Sequence, residues 1–130
     1  MSAKGDEELN KRIVQAFYDL SLNHGKPEDA AERYLVSTYR QHNPTVGTGR
    51  EQFVNFARGF VRQFPQLRFD FKRIIAEGDL VVVHSYLKVN DGDRGTAVMD
   101  IFRLETGKIV EHWDVMQPLP EESANDNTMF

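Results

Sequence analysis

A stretch near the carboxyl end, residues 100–116, most constrains the fold, because two apolar-rich runs there flank the dipeptide Thr106-Gly107. A two-residue break between runs rich in β-forming residues predicts a β-hairpin. The same stretch carries Asp100, His112 and Asp114 among residues that otherwise have the composition of a core. Acidic side chains are rarely fully buried unless they are paired or functional. The hairpin therefore carries the strongest functional candidates of the sequence.

Two helices are predicted at the start of the chain. Between residues 7 and 24, apolar side chains recur at steps of four, four and three on one helix face: Leu9, Ile13, Phe17 and Leu20. Gly25 fits the position that ends a helix, and Pro27 fits the first turn of the next. We expect that second helix to bury Ala30, Ala31, Tyr34 and Leu35. The β-branched and aromatic residues at 36–39 predict an extended segment after it.

A third helix is predicted after Pro44, whose ring disfavours helical conformation at Asn43. Thr48, followed three residues later by Glu51, matches a capping box that opens a helix. We expect this helix to end at Pro65 and to present one apolar face: Phe53, Phe56, Ala57, Phe60 and Phe64. Packing against a sheet is the ordinary role of such a face, and a floor beneath a bound ligand is the alternative.

The second half of the chain predicts strands. Leu67, Phe69 and Phe71 alternate with polar residues, and residues 80–89 continue the same period of two. Turns fall at residues 77–79 and 91–95. Three helices followed by a run of strands define the α+β class. We expect the helices to pack on a strongly curved, mostly antiparallel sheet, which would form a cone with a pocket inside.

The register of the hairpin decides which polar side chains meet. Asp100 and Phe102 share one face of their strand, and Arg103 faces the other way, which places Asp100 inside. A simple two-residue turn would pair Asp100 with Trp113. A bulge at Gly107 would shift the pairing by one residue and bring His112, Asp114 and, by parity, Met116 to the face of Asp100. The residues alone leave both registers open.

Composition excludes several classes of protein. The chain has 130 residues, a formal net charge of -4 and no cysteine. It is long enough for one domain with a real core, which we expect to span residues 1–130 with flexible ends at 1–6 and 119–130. Negative charge without a lysine- or arginine-rich run argues against nucleic acid. No long apolar run predicts a membrane span or a signal peptide, so a cytoplasmic protein is the default.

Several short motifs together resemble the NTF2-like fold. They are Asn43-Pro44, Gly49-Arg50-Glu51, Asp100-Ile101-Phe102-Arg103-Leu104, Gly107-Lys108-Ile109 and Glu111-His112-Trp113-Asp114. Within this superfamily, residues 7–118 are most similar to the SnoaL-like polyketide cyclases and their uncharacterised bacterial relatives, and more distantly to ketosteroid isomerase. The resemblance implies a cone that encloses a small apolar ligand. It does not by itself fix the function, because this fold also hosts binding and dimerisation modules.

The resemblance also implies roles for individual residues. Tyr18 and Asp100 stand where the isomerase has its oxyanion-hole tyrosine and its protonated aspartate. Asn43 stands at the position of the isomerase general base, and an amide cannot take up a proton. Asp114 resembles the acid/base aspartate on the last strand of the cyclases. Further residues implied to line the cavity are His84, Tyr86 and His112, with Phe102 and Met116 beside them and His42 near its mouth.

Two functions follow from these residues. The first is an enzyme, an isomerase or lyase resembling the polyketide cyclases, in which Asp114, Asp100, His112 and His84 do acid/base chemistry on a small apolar carbonyl compound without a cofactor. The second is a module that binds a small ligand or dimerises without turnover. For each candidate the alternative is structural, such as a buried aspartate that accepts backbone N–H groups. The histidines and aspartates suit zinc or iron(II), but they show no local ligand spacing, and we expect no metal.

The outer face of the sheet is expected to carry Ile101, Val110 or Trp113, depending on the register. Exposed apolar surface of that kind, and the resemblance, predict a homodimer through this face. Residues 118–130 end in Met129-Phe130. This tail would either cover the mouth of the pocket or fray into solvent.

Overall fold

The computed structural model describes residues 4–130, with side chains from residue 6 onward. The helices are α1 (Lys4–Tyr18), which continues as a π-helical turn (Asp19–Asn23), α2 (Pro27–Tyr34) and α3 (Arg50–Gln63). The strands are β1 (Leu35–Gln41), β2 (Arg68–Glu77), β3 (Leu80–Lys88), β4 (Thr96–Glu105) and β5 (Lys108–Pro118). They form one five-stranded sheet in the order β1-β5-β4-β3-β2, antiparallel except that β1 runs parallel to β5. The predicted α+β class is confirmed, although the curved sheet does not close on itself.

The first helix buries a different stripe from the one predicted. Val14 and Phe17 are buried and form the centre of the observed stripe. Leu9, which belongs to the predicted stripe, is 44% exposed. The buried face continues instead through Tyr18, Ser21 and Leu22. A π-helical turn spaces its hydrogen bonds by five residues, so it rotates the end of the helix relative to a regular α-helix. Tyr18, the last residue of α1, already lies on this face because it follows the buried Val14 by four residues, and the rotation applies to the residues after it, Ser21 and Leu22.

The second helix and the first strand agree with the prediction, except that Tyr34 is only half-buried and Leu35 begins the strand instead of belonging to the helix. Pro27 occupies the first turn, and Ala30 and Ala31 are buried. The helix passes directly into β1 at Leu35, which is also buried. The predicted extended segment at residues 36–39 lies within this strand.

The capping box predicted at the start of the third helix is wrong. The residue that caps α3 is Gly49, at φ +100, and no side chain caps the helix. The Thr48 hydroxyl is turned away, accepting a hydrogen bond from the backbone N–H of Gln41 (3.0 Å) and donating one to the carbonyl of Tyr39 (3.3 Å). A positive φ of this size favours glycine, so the chain enters the helix through a glycine turn tied to β1.

The hairpin contains the bulge, but not at the expected residue. Thr106 and Gly107 both have positive φ, the conformation of a two-residue type I′ turn. The pairing starts as a simple hairpin and then shifts by one residue opposite Arg103, so that Val110 is the extra residue on β5. Beyond the bulge, Phe102 pairs with His112 and Asp100 with Asp114. The register that brings these three polar residues together is confirmed.

The two faces of the sheet differ sharply. Towards the helices, β3 and β4 bury Val81, Val83, Ser85, Leu87, Val98, Asp100, Phe102 and Leu104. The opposite face carries His84 and Tyr86, which alternate with those buried residues along β3. The expectation that His84 and Tyr86 line the cavity is therefore corrected, because a period of two sends them to the outer surface.

The ends of the chain show two arrangements. Residues 1–3 of the expected flexible start lie outside the described residues, and residues 4–6 belong to α1. After β5 the chain forms no helix or strand. The N–H of Leu119 donates to the carbonyl of Gly95 at 2.9 Å. At the end of the tail, the ring of Phe130 stacks on Tyr86 at 4.6 Å and on His84 at 5.5 Å. The tail lies on the outer face of the sheet and does not cover the pocket mouth. None of the helices described between residues 4 and 130 is long and apolar enough to span a membrane.

Candidate active site

A cavity of about 200 Å³ lies between α1, α3 and the inner face of the sheet. Most of its wall is aromatic or aliphatic, and α3 contributes Phe53, Phe56 and Phe60. The apolar face of α3 therefore packs on the sheet and also borders the cavity. It takes the ordinary packing role and lies where a floor beneath a ligand would be. The other lining residues are Phe17, Tyr18, Leu22, Tyr39, Gln41, Asn43, Thr45, Val46, Phe69, Leu87, Phe102, His112, Asp114 and Met116.

Behind one end of the cavity lies a fully buried carboxyl group. Asp100 on β4 is 0% exposed and has a partner on each oxygen. The hydroxyl of Tyr18 donates to Oδ2 at 2.9 Å, and Nε2 of His112 lies 2.7 Å from Oδ1. Buried carboxyl groups are tolerated when their hydrogen-bonding capacity is satisfied in this way. Asp100 thus contacts the cavity only through Tyr18 and His112, both of which line it.

A second carboxyl group faces the cavity itself. Asp114 lies opposite Asp100 in the β4–β5 pairing, and its Oδ2 accepts a hydrogen bond from the Asn43 amide at 3.1 Å. The same oxygen is 3.8 Å from Nε2 of His112. Asn43 follows β1 and reaches β5 because those two strands are neighbours. The Asn43 amide is therefore placed to orient the carboxyl group of Asp114.

Two further polar residues of the site come from β1 and were not predicted. Gln41 places its Oε1 2.8 Å from Nδ1 of His112, and its amide nitrogen donates to the hydroxyl of Tyr39 at 2.9 Å. Tyr39 is buried and lines the cavity. The only local signal for this pair is that both residues share one face of a predicted strand leading to Asn43. Their approach to His112 depends on the parallel pairing of β1 with β5, which no local pattern reveals.

Burial dominates the electrostatics of this cluster. Removal from water raises the pKa of Asp100, and the hydrogen bonds and positive charge available from His112, with the Tyr18 hydroxyl, partly offset that increase. The nearby carboxylate of Asp114 adds to the increase in the Asp100 pKa. Burial, followed by the negative charge of Asp100, also raises the pKa of Tyr18 and of Tyr39. Both phenols therefore remain protonated and able to donate.

The predicted site residues separate into two groups. The cavity brings together Tyr18, Asn43, Phe102, His112, Asp114 and Met116, with Asp100 directly behind them. His42 is on the other side of the sheet, stacked on Trp113 at 4.8 Å with its Nε2 2.7 Å from Glu111. Nδ1 of His84, also outside, lies 3.0 Å from the Arg73 guanidinium. The placement of His42 at the pocket mouth is corrected, because parity along β1 turns Gln41 inward and His42 outward.

Among the described side chains, Asp100, His112 and Asp114 have ligand-type atoms within 4.8 Å of one another. A cation could be placed between them on residue type alone. However, each group already has a hydrogen-bonding partner, and the 2.7 Å contact between His112 and Asp100 is a direct hydrogen-bond distance. The three groups therefore lie close enough to exchange protons with one another in the arrangement described.

The fold and the cluster together define a largely apolar cavity with titratable side chains at one end. A match to the SnoaL-like domain family covers residues 14–112, and the chain belongs to that family. No curated protein matches the sequence. The resemblance to the SnoaL-like group of NTF2-like proteins is confirmed.

Solved structures agree on the fold. A candidate SnoaL-like polyketide cyclase from Jannaschia Sp. CCS1 is similar with a TM-score of 0.75 at 21% identity, covering 89% of this chain and 90% of that one. A candidate ketosteroid isomerase from Kribbella flavida gives 0.73 at 19% identity, covering 92% and 86%. TsrD from Streptomyces laurentii gives 0.66 at 25% identity, covering 81% and 88%. These likenesses establish the architecture, and the chemistry must be argued from the site.

Proposed function

We propose that the protein is a cofactor-free acid/base catalyst that removes a proton next to the carbonyl group of a small apolar compound, leading to aldol-type cyclisation or isomerisation. One observation carries the proposal: Asp114 and His112 stand together at one end of a largely apolar cavity, with the raised-pKa carboxyl of Asp100 behind them. Perturbed titratable groups grouped in a water-poor pocket are typical of acid/base sites.

Asp114 is the proposed base. Its carboxylate would take the proton from the carbon, and the electron pair of that C–H bond would move to the carbonyl oxygen to form an enolate. Asn43 holds the carboxylate from one side at 3.1 Å, and Nε2 of His112 lies 3.8 Å away to relay the proton. Asp100 does not line the cavity, so its proposed part is to hold and neutralise His112.

Tyr39 is the proposed donor to the enolate oxygen. Tyr18 already donates its hydroxyl proton to Asp100. The Tyr39 hydroxyl accepts from Gln41, and no described group accepts a hydrogen bond from it in turn. Its raised pKa keeps the proton in place at neutral pH. A donor held ready where negative charge develops stabilises the transition state without further reorganisation.

The cavity also limits the substrate. Its volume of about 200 Å³ lies below the roughly 300–1,000 Å³ of pockets for drug-sized ligands. No lysine or arginine is among the described lining residues, so a carboxylate or phosphate on the ligand would meet no cation. We therefore propose a small, uncharged and mostly apolar carbonyl compound, with aromatic or flat rings favoured by the phenylalanine walls.

The test is α-proton exchange in deuterated buffer with a panel of small β-keto esters and cyclic enones. Asp114→Asn removes the base and keeps the shape of the side chain, so we expect exchange to fall by about 10²–10⁴-fold with the fold intact. Asp91→Asn, the same change at an exposed loop position, is the matched control and should leave the rate unchanged. Equal exchange by wild type and Asp114→Asn would overturn the assignment of the base.

A non-catalytic ligand-binding protein is the second candidate. The observation in its favour is that the amide of Asn43 already engages Asp114. By the resemblance, Asn43 stands where the isomerase carries its base, and an amide cannot take up a proton. A binding protein would retain a small apolar compound through purification, and Asp114→Asn would leave that binding within a few fold. Exchange by wild type on any compound of the panel would exclude this candidate.

We also propose a homodimer through the outer face of the sheet. Val115, 72% exposed, pairs with the exposed Met99, and Ile101 and Ile75 extend the same apolar surface. Apolar surface of this extent is typical of an interface. Light scattering at micromolar concentration should give twice the chain mass. Val115→Glu should reduce that mass to the monomer value, whereas Leu9→Glu on the exposed side of α1 should not. A monomeric wild type would contradict the proposal.

A further inference from the structure

Gln41 occupies a central position in the polar cluster. It is the last residue of β1 and pairs directly with His112 across the parallel β1–β5 ladder, so both side chains point to the same inner face. Its amide group contacts three partners: Nδ1 of His112 at 2.8 Å, the backbone N–H of Asn43 at 3.0 Å and the hydroxyl of Tyr39 at 2.9 Å. The side chain therefore has a fixed place between β1 and β5.

The orientation of this amide follows from its neighbours. The N–H of Asn43 can only donate, so the group facing it must be the amide oxygen of Gln41. The opposite orientation would set the NH₂ group against that N–H. With the oxygen so placed, the amide nitrogen donates to Tyr39. Backbone geometry on β1 thus decides which atom of Gln41 faces His112.

The proton on the imidazole follows in turn. The same Gln41 oxygen lies 2.8 Å from Nδ1 of His112, and an oxygen acceptor at that distance requires a proton on Nδ1. Nε2 then faces Oδ1 of Asp100 at 2.7 Å, with Oδ2 of Asp114 at 3.8 Å. Because two lone pairs would repel at 2.7 Å, one proton must lie between Nε2 and Asp100.

We propose that Gln41 is a positioning residue that keeps His112 protonated on Nδ1, so that Nε2 alone exchanges a proton with Asp100 and Asp114. In one charge state His112 is an imidazolium beside the Asp100 carboxylate. In the other, His112 is neutral and Asp100 carries the proton. In both states Nδ1 keeps its hydrogen. Which ring nitrogen of a histidine carries the proton is commonly set by the partner of the other nitrogen.

The catalytic meaning of this arrangement rests on the proposed function. The groups that face the His112 ring are Asp100, Asp114, Gln41, Tyr39 and Phe102. The two aspartates are the carboxyl groups of this set, and the Tyr39 phenol stays neutral because burial raises its pKa. With Nδ1 occupied, the imidazole is a single-site relay directed at the cavity carboxylate. In the state in which Asp100 carries the shared proton, its hydroxyl can turn away from Nε2, and the freed lone pair takes the proton that Asp114 has accepted. The imidazolium so formed returns that proton to Asp114 by the reverse step.

The test is ¹⁵N NMR of the His112 ring in the unliganded protein, with the signal identified by its loss in His112→Asn. In wild type we expect a protonated Nδ1 at every pH at which the protein is folded. Gln41→Leu removes the acceptor. At the high-pH end of the folded range, where the ring is neutral, an unprotonated Nδ1 should therefore appear as the Nε2–H tautomer becomes populated. Gln41→Glu restores an oxygen at the same place and should restore the protonated Nδ1. Gln63→Leu, at an exposed position, is the matched control.

An unprotonated Nδ1 in wild type would overturn the inference, and so would a Gln41→Leu spectrum identical to that of wild type. The wild-type spectrum decides whether Nδ1 of His112 is protonated even if the leucine variant does not fold. In the exchange assay, Gln41→Leu should lower kcat by about 10–100-fold with little change in KM. If the spectra agree and no compound exchanges, the tautomer assignment stands and the proposed function falls.

Discussion

Two carboxyl–histidine pairs lie on opposite faces of the sheet at the β4–β5 hairpin, one within the hairpin and one between Glu111 on β5 and His42, which follows β1. Inside, Asp100 and His112 are 2.7 Å apart, and outside, Glu111 and His42 are also 2.7 Å apart. Glu111 and His112 are consecutive residues, and alternation along the strand sends them to opposite sides. The same two chemical groups, at the same distance, therefore lie in two different environments.

The environments produce opposite effects. The hydrogen bonds from His42 and from Arg103, whose Nε lies 2.9 Å away, lower the pKa of Glu111. Asp100 has no guanidinium partner, and burial raises its pKa despite the hydrogen bond to His112. A carboxylate supported by a permanent cation near water stays ionised. One that is enclosed with an imidazole and a phenol holds its proton more tightly, which suits a group that shares protons.

The largest predicted difference between the pairs is in stability. Asp100→Leu leaves Tyr18 and His112 buried without their partner, so we expect it to lower the free energy of unfolding by about 3–5 kcal/mol. Glu111 is itself only 10% exposed at its side chain, but its partners His42 and Arg103 are 36% and 29% exposed and can turn to water when it is replaced. We therefore expect Glu111→Leu to cost less, about 1 kcal/mol. Urea denaturation of both variants beside wild type measures the two losses. Equal losses would show that burial does not distinguish the pairs.

The inner cluster was only partly predictable. Ionisable residues in a core-like hairpin pointed to Asp100, His112 and Asp114, and the bulge that brings them together was one of two registers considered. The deciding residue, Val110, cannot be recognised locally, because a bulge depends on how the partner strand packs. Local pattern supplied the candidates, and tertiary packing chose among them.

Other residues show where local pattern fails. Gln41 and His112 are 71 residues apart in sequence, and they meet only through the parallel pairing of β1 with β5. His84 was placed in the cavity by resemblance, although its alternation with buried Val83 already favoured the outer face. Parity within a strand was the better guide for His84, and only the three-dimensional pairing could reveal Gln41.

The smaller prediction concerns the pH dependence of stability. The pKa of Asp100 is raised in the fold, so above its unfolded value of about 3.9 the native state binds more protons than the unfolded state. The contribution of Asp100 is the free energy of unfolding of wild type minus that of Asp100→Asn. This difference should fall as the pH rises from about 4 towards the pKa of Asp100 in the folded protein. Urea titrations at several pH values give this difference directly.

Glu111 should give the opposite sign in the same experiment. Its pKa is lowered in the fold, so the unfolded state binds more protons between the two pKa values. The difference in the free energy of unfolding between wild type and Glu111→Gln should be fully present above about pH 4.3. It should decline as the pH falls through the pKa of Glu111 in the folded protein. Differences that slope the same way for both residues would contradict the comparison. Opposite slopes would mean that folding makes the carboxyl group on the inner face easier to protonate and the one on the outer face harder to protonate, although each has a histidine partner.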